Sequence, residues 1–163
     1  MIASSIITSQ DQLFVGTRPL GMGGAFIAVA DDGNTITWNP AGLPRLRRKE
    51  FTSSYADLYA MDITHSYTGI VWPFGDRIAV GFDWANVGFD DQELSYSENK
   101  LNFSIGYQPF KLVSIGGTFK YLSRDMGLDG TSYGKSTGIG YDIGLLISPH
   151  EKIRFGLGVY DLG

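Results

Sequence analysis

Few residues in this chain are of types that do covalent chemistry, and those few lack partners. The two histidines, His65 and His150, lie far apart, and cysteine is absent. Thiolate zinc sites and disulfide scaffolds are therefore excluded. Neither histidine has ligands or a nucleophile at the spacing of a metal centre or a triad. The acidic pairs Asp31–Asp32 and Asp90–Asp91 read as solvated turn carboxylates, because the calcium-loop pattern is missing. The Gly21-Met22-Gly23-Gly24 stretch resembles a phosphate loop only superficially, since no clear strand of a βαβ unit precedes it. Arg45, Arg47, Arg48 and Lys49 form a short basic run in a chain of net charge −4. That balance argues against nucleic acid as a partner and favours a polar-rim or lipid-headgroup contact. The expectation is a protein with no catalytic residue, no metal and no cofactor.

The elements that position these residues are strands. In 163 residues, 43% are hydrophobic, 18% are charged and 22 are glycine. That is too much apolar surface for disorder. Uncharged runs such as Pro19–Ala30 fall short of the ~18–20 residues of a spanning helix. Met1–Ile7 lacks the charged n-region of a signal peptide, so the chain is expected either not to be exported or to be a trimmed form. Residues 1–48 are irregular. Residues 49–163 alternate apolar and polar in seven stretches: 50–60, 65–74, 77–88, 100–108, 113–121, 138–147 and 152–160. Short turns at Pro73–Asp76, Pro109–Lys111 and Ser148–Glu151 alternate with longer polar loops at Asp90–Asn99 and Met126–Thr137. An antiparallel meander follows, because parallel pairing needs long crossovers. A soluble all-β domain and a transmembrane β-barrel both fit this pattern.

The composition of the two strand faces separates these classes. One face carries Ile78, Phe82, Leu101, Phe103, Ile115, Phe119, Ile143, Phe155 and Leu157. The other carries small residues with isolated charges, Asp83, Lys120, Asp142 and Arg154, where a soluble sheet would show abundant Lys and Glu. Small residues with sparse charges suit the lumen of a barrel. Aromatic residues cluster at strand ends, Trp72, Phe74, Tyr107 and Phe110 by the short turns, and Trp84, Phe89, Tyr96, Tyr121 and Tyr133 toward the long loops, as interfacial girdles do.

The N-terminal stretch carries the most specific pattern. Gly16 to Gly33 reads G-T-R-P-L-G-M-G-G-A-F-I-A-V-A-D-D-G, and residues 38–43 read W-N-P-A-G-L. Asn39 before Pro40 has the form of a helix cap followed by a first helical residue, which predicts a short helix from Pro40. Together the two stretches resemble the N-terminal signature of the FadL-like outer-membrane superfamily, including its PorV/PorQ-type branch, at that family's spacing. The resemblance covers Gly16–Leu43 closely and the strand meander only in character. It implies an outer-membrane β-barrel of a Gram-negative-type bacterium, with residues 1–48 folded into the lumen as a hatch. It implies hatch or gating roles for Gly21, Met22, Gly23, Gly24, Phe26, Asp31, Asp32, Trp38, Asn39, Pro40 and Gly42. Family barrels have about 14 strands. The seven strands are thus expected to be about half of one barrel, with completion by several chains as an alternative. The expected function is passive uptake of a hydrophobic small molecule such as a long-chain fatty acid, with the bilayer as partner. The alternatives are a PorV-like component of type IX protein secretion, engaging secretion-system proteins, and a soluble β-rich subunit of an assembly.

Overall fold

A computed structural model describes residues 15–58, 63–91, 94–128 and 131–163. Met1–Ile7 and the Ala60 end of the first predicted strand lie outside them. Seven strands form one antiparallel sheet in sequence order: β1 Glu50–Leu58, β2 Ile63–Phe74, β3 Ile78–Asp90, β4 Leu94–Phe110, β5 Val113–Leu128, β6 Thr131–His150 and β7 Ile153–Leu162. The meander is as expected, and its short turns fall where Gly75, with φ 69°, and the polar pairs around it allow reversal. None of the described helices is long and apolar enough to cross a membrane.

The two long loops are corrected. Strands β3 to β6 run on through most of Asp90–Asn99 and Met126–Thr137, so that β4, β5 and β6 reach 17, 16 and 20 residues. Their polar Ser, Asn, Asp and Lys residues look like loop because both faces there meet water, which removes the apolar alternation while leaving the ladder hydrogen bonds intact.

The alternation sorts the side chains into two unlike faces. On the outer face Phe103 is 54%, Phe155 61% and Phe51 71% exposed, and their aliphatic neighbours are similar. This apolar band has a sharp upper border. Trp84, Leu101, Tyr121 and Ile139 are direct cross-strand neighbours, and two residues further along the strands the row is Asn86, Asn99, Ser123 and Thr137. The Trp84 indole N–H donates to Asn99 Oδ1 at 3.1 Å, which places the ring in the apolar band and its polar edge in the polar row. On β6 the band spans 139–147, in keeping with the ~9–11 residues of a transmembrane strand.

The inner face is covered by the N-terminal segment. This segment contains α1 (Thr17–Gly21), α2 (Thr35–Trp38) and a 3-10 helix (Pro40–Arg45). Its apolar side chains pack on the few apolar residues pointing inward. Ile36, Leu43 and Leu46 meet Val71 and Ala79; Phe26, Ala30, Trp38 and Ala41 meet Leu146; Val15 meets Tyr67 and Ala85. Burial of this kind contributes about 25 cal/mol per Å2 of apolar area, and here it holds an irregular segment that has little regular structure of its own.

Candidate functional site

The site is the contact between the N-terminal segment and the inner face. Its first part is a closed loop. Gly23 and Gly24, at φ 63° and 80°, turn the chain after α1, a conformation that L side chains rarely adopt. Arg18 Nη1 then reaches Asp31 Oδ1 at 2.6 Å and Asp32 Oδ2 at 2.8 Å, which joins the two ends of the loop. The hydrogen bonds to these carboxylates raise the Arg18 pKa further. Asp32 Oδ1 accepts from the Asn34 backbone N–H at 2.9 Å and from its amide at 2.8 Å, starting α2. Asp31 and Asp32 are thus more than solvated turn carboxylates: they are the counter-ions of Arg18, a pairing that their separation in sequence conceals. The pair is half-exposed, so it contributes at most about 1 kcal/mol and acts chiefly on shape. Leu20, Gly21, Met22 and Gly23 on this loop are exposed, while Phe26 is buried edge-on against Trp38 at 6.3 Å.

The second part is the 38–46 stretch. Trp38 Nε1 donates to Val15 O at 3.0 Å. Asn39 is fully buried and makes three contacts: its Oδ1 accepts from Ala41 N at 3.1 Å, and its Nδ2 donates to Ile27 O at 2.8 Å and to Leu145 O at 3.4 Å. It therefore caps the 3-10 helix and ties the segment to β6. Pro40 supplies the first residue, where no N–H is needed.

This stretch can lie so close to the sheet because of a row of small residues. Pro73, Ala79, Gly106, Gly116, Gly144 and Gly158 are successive cross-strand neighbours from β2 to β7. A Cβ on Gly106 would stand 2.6 Å from Pro40 O, on Gly116 2.3 Å from Pro40 C, and on Gly144 2.1 Å from Asn39 Oδ1. Any larger side chain there occupies the volume of the Asn39–Pro40 backbone. Gly42 makes the reciprocal approach, with its absent Cβ 2.2 Å from Ala30 O.

The third part is polar. Asp83 is fully buried, accepts from Asn102 at 2.8 Å, and takes the Thr37 hydroxyl at 3.1 Å. Ser104 and Thr118 share a hydrogen bond at 2.7 Å beside it. Lys120 Nζ lies 2.8 Å from Asp142 and 2.7 Å from Asp161, with the ammonium and both carboxylates nearly all buried. Arg154 Nη1 donates to Val29 O at 2.5 Å. The structure thus brings Asp83, Lys120, Asp142 and Arg154 to one face and into contact with each other or with the N-terminal segment. Arg45 donates to Ser148 Oγ at 2.8 Å, and burial, then the charge of Arg154, lowers its pKa without discharging it. Arg47 pairs with Asp76, and the Lys49 ammonium sits 3.3 Å above the Trp72 ring, so the basic run faces the short-turn end.

The same arrangement of strands is known in solved proteins. A monoaromatic hydrocarbon channel, CymD, superposes with a TM-score of 0.70 at 18% sequence identity, over 91% of this chain and 53% of that one. The chain thus spans about half the length of the solved structure it matches. No family model and no curated protein matches the sequence. At this identity the likeness shows the fold: an antiparallel sheet that forms part of a β-barrel.

The remaining chemistry-bearing residues stay apart. His65 is buried on the inner face, whereas His150 sits at a turn, where its Nδ1 accepts from Lys152 N at 3.2 Å. Among the described residues no three His, Asp or Glu side chains converge as a metal-binding group. The arrangement holds the segment against the sheet through close packing and buried polar bonds. Reading strands singly missed Arg18, Tyr160 and Asp161 as parts of the site. The "R" of the G-T-R-P stretch was a visible signal for the first, and the other two depend on a bulge that leaves no mark in the alternation.

Proposed function

We propose that this chain is part of an outer-membrane β-barrel of FadL-like type that takes up hydrophobic small molecules passively, with residues 15–48 as its hatch. The observation that carries the reading is the inversion of the two faces. A sheet with its large apolar side chains outside, and with small residues and paired charges inside, fits a lipid surround. An exposed apolar surface of this extent otherwise marks an interaction site. An apolar recess of about 290 Å3 between Leu94, Met126, Leu128 and Gly134 supports a hydrophobic ligand. By strand parity it lies on the inner side, above the Glu98–Arg124 pair. The likeness to CymD, a monoaromatic hydrocarbon channel, adds monoaromatic hydrocarbons to long-chain fatty acids as candidate cargo.

The test is uptake of labelled oleate and of labelled toluene by cells whose own uptake barrels are deleted and which express the complete protein. Protein-dependent, saturable entry of either compound is the expected result. Entry of neither, with the protein folded in the membrane, overturns the uptake reading and leaves the secretion alternative as the next to test.

A further inference from the structure

We propose that β7 is the strand that fastens the hatch, through Arg154 and Tyr160 as positioning residues; this rests on the hatch reading above. The segment meets β3 to β6 by packing on the glycine row, by the bonds of Thr37, Asn39 and Arg45, and by the Ser104 and Thr118 hydroxyls, each 3.5 Å from Ile36 O. The contacts with β7 are the short ones: here two side chains of the sheet grip the segment's backbone on either side of that carbonyl. Arg154 donates to Val29 O and the Tyr160 hydroxyl donates to Trp38 O, both at 2.5 Å. Between them, the missing Cβ of Gly156 leaves room for Ala28, which a side chain would meet at 2.6 Å. The two grips take hold on either side of the Ala30–Thr37 stretch, and each engages a carbonyl whose loss of a partner would leave it unsatisfied.

The position of Tyr160 is itself built. A Cβ on Gly158 would stand 2.3 Å from the Tyr160 hydroxyl, so the tyrosine lies back along its own strand over that glycine. Strand β7 then bulges. Tyr141 pairs with Leu162 and Ile143 with Val159, which gives β7 one residue more than β6. Asp161 takes up the excess at φ 57°, an αL conformation to which aspartate is better suited than most residues. The bulge turns two successive side chains inward. Tyr160 goes to the segment and Asp161 to Lys120, while the Asp161 N–H donates to Asp142 Oδ1 at 3.0 Å. Lys120 thus ties β7 to β5 across β6, and the buried triad fixes the strand that carries the latch.

The 163 residues contain no cysteine, so one can be placed as a reporter. The complete protein is reconstituted in phosphatidylcholine vesicles with Val29→Cys, and the rate of maleimide modification is read. Tyr160→Phe deletes only the hydroxyl and Arg154→Met keeps the stem. Each is expected to speed labelling by about five-fold and the pair by more than ten-fold, from one lost hydrogen bond apiece. Heat-modifiable gel migration establishes that each variant is folded. Folded variants that label at the parent rate overturn the latch. Labelling needs no transported ligand, so the uptake reading can fail while the latch result stands, and the reverse. A third variant, Gly158→Ala, displaces the tyrosine without removing it and is expected to reproduce the Tyr160→Phe rate; the parent rate in that variant also contradicts the proposal.

Discussion

The two faces of the same strands obey opposite rules. On the outer face side chains are large, apolar and exposed, and neighbouring strands repeat them in rows that end at Asn86, Asn99, Ser123 and Thr137. On the inner face most are small or charged, and they are buried because residues 15–48 lie on them. An apolar core normally drives a soluble sheet to bury its large residues. Here the interior is closed by close backbone approach and by polar groups that bond across to the segment, and the large residues stay exposed. The lesson is that burial and hydrophobicity have separated, and each can be perturbed independently.

The largest effect is expected on the inner face. Lys120→Met removes the shared cation of Asp142 and Asp161 and leaves two buried carboxylates uncompensated. A loss of about 3–5 kcal/mol is expected, read as a lower urea midpoint for the protein folded in vesicles. A change on the outer face comes next. Ile143→Arg puts a charge in the apolar band, at an expected cost of about 2–4 kcal/mol near the midplane. The same measurement without lipid, in a solubilising detergent, is expected to shrink that cost. The third separates two kinds of inner-face glycine. Gly116→Ala forces its Cβ onto Pro40, for an expected loss of about 1–3 kcal/mol. Gly140→Ala meets nothing nearer than 3.9 Å and is expected to be neutral within error. Equal losses at the two positions would break the account of the glycine row.

How much of this could be read from sequence follows from how local each signal is. Alternation is a property of one strand, so the seven strands, their order and the inward direction of Asp83, Lys120, Asp142 and Arg154 were legible from parity. The cap at Asn39 and the turn of the 3-10 helix at Pro40 were legible for the same reason, since both act within two residues. The glycine row was not, because Gly106, Gly116 and Gly144 come together only when three registers are fixed. The Arg18 clamp was not, because it joins residues separated by a loop. The hairpin extensions of β4 to β6 read as loops, since strands wetted on both faces keep their hydrogen bonds and lose their pattern. The bulge at Asp161 is hidden because only Leu162 follows it in β7, too short a stretch to show a shifted parity.

The central claim is that lipid meets the outer face and that residues 15–48 lie on the other side of the sheet. The three tryptophans report on it directly, since Trp72 and Trp84 project from the outer face and Trp38 is buried in the segment. Single-tryptophan variants, with the other two replaced by phenylalanine, are reconstituted in vesicles of brominated phosphatidylcholine and their fluorescence is compared with that in unbrominated lipid. The expected result is strong quenching of Trp72 and Trp84, at the two borders of the apolar band, and little of Trp38. Quenching of Trp38 as strong as that of Trp84, or none at either outer position, would contradict the account.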